Sequence, residues 1–198
     1  VAADQKKVAD GATLVFTDES GFLLMPLVCR TLARRGHTPR LLHRARHRDK
    51  VSVAAALTLS PARGHLDLHY QTYPNGFVDA ATYAAFVRRS VLRSFRGRVV
   101  LVHDQGPMHK GPLLRKLADQ HPRLEAHFLP GYAPELNPAE PLWKHEKVDE
   151  LGNFTPHDVP ELDRAIHHCM DETACDQVRL RSFFRATELP WDGLTGII

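Results

Sequence analysis

The sequence predicts an α/β domain: a mixed sheet flanked by helices. Three observations predict it. Strand-like segments come first, at 13–17, 51–59 and 66–72, and helix and strand signals alternate after them. Val99-Val100-Leu101-Val102 is a continuous apolar run, the pattern of a central strand buried on both faces. Between 130 and 138, three prolines and a glycine exclude regular structure and separate a strand from a helix.

The elements follow in order. Residues 13–17 are apolar and β-branched, so they form a buried strand that ends at Asp18. Gly21–Val28 is expected to extend a hairpin partner. Residues 30–50 are basic and irregular, because Gly36 and Pro39 break any long helix. Residues 51–59 form a strand of small residues, and 66–72 alternate as a half-exposed strand does. Pro74-Asn75-Gly76 is a turn. A helix follows over 78–95, where Phe77, Tyr83, Phe86, Val87, Val91 and Leu92 recur near helical spacing. Residues 111–120 form a helix and 124–129 a strand. Asn137 is a good N-cap and Pro138 suits the first helical position, so a helix spans 138–150, with another at 158–173.

The chain has 198 residues, enough for one domain with an appendage. No apolar run approaches the ~20 residues that span a bilayer. The N-terminus lacks the apolar segment of a signal peptide. Three cysteines, Cys29, Cys169 and Cys175, make no disulfide framework and fit a reducing cytoplasm. Residues 1–132 carry 20 Lys/Arg against 10 Asp/Glu, whereas residues 133–198 carry 6 against 13. That asymmetry predicts a polyanion-binding face and a separate acidic face.

Three carboxylates stand where rigid elements deliver them. Asp18 follows the first strand, Asp104 follows the Val99–Val102 strand, and Glu140 lies in the first turn of a helix. If the two strands are neighbours, both aspartates emerge at one sheet edge, and Glu140 can point back at it. Hard oxygen ligands with room for water and phosphate suit two Mg²⁺ or Mn²⁺ ions, the equipment of phosphodiester chemistry. Crowded carboxylates repel, so such a site is completed only by metal or DNA.

Together, Phe16-Thr17-Asp18-Glu19-Ser20-Gly21, Arg35-Gly36-His37-Thr38-Pro39, Asp104 with His109, and Leu129-Pro130 through Trp143 resemble the catalytic domain of mariner-like transposases, specifically the bacterial insertion-sequence branch. The similarity spans roughly residues 11–150. The resemblance implies a ribonuclease-H-like fold and a DDE triad of Asp18, Asp104 and Glu140, with Asp104 bridging two metal ions. It implies cleavage at the ends of a mobile element and transfer of the freed 3′-hydroxyl into target DNA at a TA dinucleotide. It also implies a bacterial, nucleoid-associated setting, a homodimer, and N-terminal helix-turn-helix units that are separate from or missing in this chain. Gln105 replaces the family's usual Asn, and Ala133 its Ser.

Other residues are read against plainer alternatives. Glu19 points away from Asp18 on a strand, so it belongs behind the site or on the surface. Glu135 is a solvated turn residue. Trp143 is core packing that fixes the helix. Arg34, Arg35, Arg40, Arg44, Arg46 and Arg48 are expected beside the carboxylate edge on DNA phosphates, with His109 and Lys110 near the scissile phosphate. His167, His168, Cys169 and Cys175 match no zinc spacing. Pro112 stands where a P-loop needs Lys, so nucleotide binding is rejected.

Residues 1–150 are therefore expected to be the catalytic domain, with the basic insertion at about 30–50. Residues 151–198 are expected to be a C-terminal helical extension packed on the same domain. Two competing readings are a domesticated or decayed transposase domain acting as a non-catalytic DNA-binding module, and a stand-alone nuclease of the same fold.

Overall fold

Five strands make one sheet: β1 (Thr13–Leu23), β2 (Lys50–Ser60), β3 (His65–Pro74), β4 (Val99–His103) and β5 (Leu124–Phe128). The spatial order is β3-β2-β1-β4-β5, with β1, β2 and β3 antiparallel and β4 and β5 parallel to β1. The computed structural model describes residues 11–42, 49–60, 64–191 and 198. Arg44, Arg46 and Arg48 lie outside the described residues.

Antiparallel pairing comes from the first three strands: residues 24–49 join β1 to β2, and residues 61–64 join β2 to β3. Parallel pairing begins where helices intervene. The first of these, α1 (Ala80–Phe86), continues as a wider π turn over Val87–Val91. A capping box starts it: Asp79 accepts from the Thr82 amide while Thr82 Oγ1 accepts from the Asp79 amide. Next come α2 (Pro112–Gln120) and α3 (Ala139–Lys144), the latter continuing as a π turn over His145–Glu150. The chain then forms α4 (Val159–Cys175) and α5 (Gln177–Arg185).

Three expectations are corrected. Gly21–Val28 is not a hairpin partner: β1 runs on to Leu23, and its partner is β2, with Asp18 opposite Ala55 and Gly21 opposite Ser52. Asp18 therefore sits inside a strand rather than after one. The helix carrying Glu140 starts one residue later than expected, although Asn137 still caps it by accepting from the Ala139 amide at 3.1 Å. Phe183 and Phe184 are buried on α5, which Asp176 caps by accepting from the Val178 and Arg179 amides.

The sheet is covered on both faces. One core joins Leu14, Phe16, Phe22, Leu57 and Val102 to Leu142 and Trp143 of α3, Ile166 and Met170 of α4, and Phe184 of α5. The other joins Val15, Ala54, Ala56 and Leu101 to Tyr83 and Phe86 of α1 and Leu114 and Leu117 of α2. Alternation along β1 assigns the faces: Leu14, Phe16 and Phe22 go to the first core, and Val15 goes to the second. The apolar stripe of Leu162, Ile166, Cys169 and Met170 buries against the sheet, largely on β3 and β2.

Candidate active site

β1 and β4 are parallel neighbours, with Phe16 opposite Val102. Two residues further along each chain stand Asp18 and Asp104. The pairing thus delivers both carboxylates level, at the same edge of the sheet. Glu140 approaches from across a cavity of about 450 Å³ that Asp18, Asp104, Gln105, Lys110, Asn137 and Glu140 all line. The loop bringing Glu140 there is pinned at both ends. Leu129 is buried and its amide donates to the His103 carbonyl at 2.8 Å. Asn137 is buried at the other end.

Asp18 is held by donors from α3 and the loop before it. Trp143 Nε1 donates to its Oδ2 at 3.1 Å and Asn137 Nδ2 to the same oxygen at 3.3 Å. The Glu19 amide donates to Oδ1 at 2.9 Å. Burial nevertheless dominates and pushes the Asp18 carboxyl up to about 7. The nearby charges of Glu19 and Glu140 push the same way, so the site repels its own negative charge.

Asp104 is exposed, and its Oδ1 accepts from the Gly106 amide at 2.8 Å. A Cβ at Gly106 would stand 2.9 Å from that oxygen and 3.1 Å from the His109 ring, so a larger residue there displaces the Asp104 carboxylate. Beneath Asp104 lies His109, only 3% exposed. Its Nε2 lies 3.2 Å from Asp104 Oδ1 and 3.3 Å from Glu19 Oε2. The ring stacks on His103 with centroids 4.7 Å apart and meets the Tyr83 edge at 4.4 Å. Tyr83 in turn bonds Thr17 Oγ1 at 2.6 Å. Burial holds the neighbouring His103 down to about 4, so its ring is neutral.

His109 is therefore corrected from a DNA-facing residue to one beneath a carboxylate: a buried ring offers no face to a phosphate. Lys110 does face the cavity, its Nζ donating to Gln105 Oε1 at 3.3 Å, while Gln105 Nε2 donates to the Leu129 carbonyl at 3.1 Å. Arg34, Arg35 and Arg40 are exposed on an irregular segment. Trp143 packs as expected, edge-on to Phe22 at 6.2 Å. Sequence reasoning missed its bond to Asp18.

The donor set is all hard oxygen, and Asp104 and Glu140 are exposed to a cation entering the cavity. The three carboxylates border one cavity without being drawn into one cluster. Among the described residues, no group of three or more His, Cys, Asp or Glu is gathered so as to hold a metal ion. Of the residues whose spacing matches no zinc set, His167 bonds Tyr70 and Thr72, Cys169 is buried and Cys175 is exposed.

Comparison with known proteins places this geometry. In fold the chain is similar to the Mos1 strand transfer complex, at 16% identity over 93% of this chain and 53% of that one, with a TM-score of 0.63. The mariner Mos1 paired-end complex with Mg gives 15%, 93%, 55% and 0.64. The catalytic domain of Mos1 mariner transposase gives 15%, 87%, 74% and 0.54. The chain spans about half the length of the first two. No curated protein matches it. The shared fold is ribonuclease-H-like, a mixed five-stranded sheet with helices on both faces. A family model described as DDE superfamily endonuclease matches residues 13–162, and the chain belongs to that family.

Proposed function

We propose that this chain is the catalytic domain of a DNA transposase of the bacterial insertion-sequence branch of mariner-like elements. The observation that carries the reading is the level placement of Asp18 and Asp104 on adjacent parallel strands, with Glu140 across one cavity. Asp18, Asp104 and Glu140 are the proposed ligands of two Mg²⁺ or Mn²⁺ ions. When bound, the ions activate the attacking oxygen and stabilise the leaving one. Water is the first nucleophile: its oxygen bonds to phosphorus, the bond to the 3′ oxygen breaks, and that oxygen leaves as a 3′-hydroxyl. The hydroxyl is the second nucleophile: its oxygen bonds to a phosphorus of target DNA and gives up its proton, the target's own bond from phosphorus to the 3′ oxygen breaks, and that oxygen leaves protonated as a 3′-hydroxyl.

The chain's own groups prepare this. Trp143 and Asn137 fix the orientation of Asp18. His109 and the Gly106 amide fix Asp104. Lys110 places a cation at the rim, where a phosphate enters. Arg34, Arg35, Arg40, Arg44, Arg46 and Arg48 are the proposed backbone contacts of the insertion. Residues 1–150 form the proposed catalytic unit and 151–198 its extension. Transposon ends, target DNA, a second copy of the chain and a helix-turn-helix region are the proposed partners, and the bacterial cytoplasm, at the nucleoid, the proposed location. Among the described residues, no helix is long and apolar enough to cross a membrane.

The test is cleavage of end-labelled element DNA in Mg²⁺. Activity present in the wild type and lost in Asp104→Asn supports the reading, and equal activity in both overturns it. The second reading, a non-catalytic DNA-binding module, is favoured by one observation: Asp18 Oδ2 already accepts two hydrogen bonds. Calorimetric titration with Mn²⁺ in the presence of DNA decides between them, since the module takes up no metal.

A further inference from the structure

We infer that the paired helices α1 and α2 form a second nucleic-acid surface, a track for the backbone of duplex DNA leading away from the carboxylate cavity. The inference rests on the reading of this chain as a DNA-processing domain. None of its residues belongs to the basic insertion at 30–50.

Residues 80–123 carry nine Lys/Arg against two Asp/Glu. Three of the nine have structural work. Arg123 donates to the Leu92, Phe95 and Gly97 carbonyls and so closes the segment after α1. Arg98 pairs with Glu125 at 3.5 Å. Lys110 bonds Gln105 at the cavity. The remaining six are Arg88, Arg89, Arg93, Arg96, Arg115 and Lys116. All six are exposed, and among the described residues none has an ion-pair partner. Uncompensated like charges on these helices and on the turn after α1 repel and destabilise the fold, a cost offset when a polyanion lies against them.

The shape fits a backbone rather than a base. A groove of about 230 Å³ runs between the helices, with Ala81, Ala84 and Ala85 on one wall and Leu113 on the other. Arg88 and Lys116 line it too. Alanine walls let a sugar-phosphate chain come close while the cations meet its charge. No aromatic side chain lines the groove, so it offers no stacking platform for a single strand.

The position makes it a track. A Cβ on Gly111, just before α2, would lie 3.8 Å from the Ala80 side chain at the start of α1. Both helices therefore begin together, and the residue before Gly111 is Lys110, on the carboxylate cavity. The nine residues of α2 extend about 13 Å, the length of roughly four base-pair steps. DNA entering the cavity past Lys110 continues along the groove.

The test measures binding of a 30-base-pair duplex to the full chain between 50 and 200 mM salt. The wild type is compared with Arg88→Ala/Lys116→Ala and with Arg98→Ala, whose cation is already paired. The log–log salt slope should fall by about 1.8 in the double variant, roughly 60-fold in affinity at 0.1 M salt. It should fall by less than about 0.9 in Arg98→Ala. Unchanged thermal melting of the double variant assigns the loss to contact, and a charge-preserving Arg88→Lys/Lys116→Arg variant should restore the slope. A double variant that keeps the wild-type slope overturns the track alone. A wild type without salt-dependent duplex binding overturns both the track and the transposase reading.

Discussion

Asp18 and Glu19 are neighbours on β1 and point to opposite faces of the sheet, yet both lead to the same pair of cavity carboxylates, Asp18 and Asp104. On one face, Asp18 is gripped by Trp143 and Asn137, which arrive with the helix that carries Glu140. On the other, Glu19 lies against His109, which supports Asp104 from beneath. The first face couples the site to the core under α3, α4 and α5, and the second to the core under α1 and α2. A two-faced sheet thus ties each aspartate to a different half of the molecule. Position along the sheet edge and rigidity of the carboxylates have separate sources, and mutations should separate them.

The largest effect belongs to the Asp18 face. Trp143→Ala removes a buried indole and a donor to a buried carboxylate at once. Loss of a large core aromatic costs about 3–5 kcal/mol, which should appear as a strongly lowered denaturant midpoint. Trp143→Phe keeps most of the packing and removes the Nε1 donor. It should cost about 1–3 kcal/mol, the penalty of an unpaired buried polar group. Wild-type stability in Trp143→Phe would mean that the bond to Asp18 contributes nothing.

The same face predicts a pH dependence. The folded-state carboxyl of Asp18 stands at about 7 against 3.8 unfolded, chiefly through burial. The folded protein therefore holds a proton that the unfolded chain releases. Stability from this group is full below about pH 4 and declines as pH rises to about 7, by up to about 4 kcal/mol in the metal-free protein. Asp18→Asn should flatten that decline between pH 4 and 7 in denaturant titrations. A variant with the wild-type profile would place the dependence elsewhere.

How much of this was legible in the sequence differs between the two faces. The apolar run at 99–102 is a local signal and appears as the buried strand β4, and Asp18, Asp104 and Glu140 border one cavity. The strand boundary at Asp18 was misread because Asp18–Gly21 has little strand propensity. Pairing with Val53–Ala55 of β2 overrides it. The partnership of Trp143 with Asp18 spans 125 positions, and no local pattern encodes a contact that only the closed core creates. The burial of His109 was hidden for a related reason. Histidine is compatible with surface and core alike, and only Tyr83 from α1 and His103 from β4 enclose it.

The Glu19 face should respond more mildly in stability and more sharply in metal affinity. His109→Leu keeps a buried side chain but removes the donor shared by Asp104 and Glu19. Loss of a group that orients a metal-binding carboxylate typically weakens metal by 10- to 100-fold. Mn²⁺ titration should show that range, with His109→Gln recovering part of it because the amide can still donate. If Leu and Gln behave alike, the ring supports Asp104 by packing and not by its hydrogen bond.

The smallest effect is expected from Glu19→Gln. Glu19 is nearly buried, with a side-chain exposure of 13%, and its Oε1 has no hydrogen-bond partner. Gln matches its shape and keeps an oxygen that can face His109 Nε2. What changes is charge, because Glu19 is among the groups that push the Asp18 carboxyl upward. Removing that charge should lower the Asp18 pKa slightly and move the pH window of stability toward acid, with a net stability change within about 1 kcal/mol. The signs on the two faces differ: the variant relieves Asp18 while taking away the anion that faces His109. A shift of the Asp18 titration toward acid with Mn²⁺ affinity nearly intact would show that the faces share only an electrostatic field. A loss of Mn²⁺ affinity as large as that of His109→Leu would instead make Glu19 the anchor of the support under Asp104.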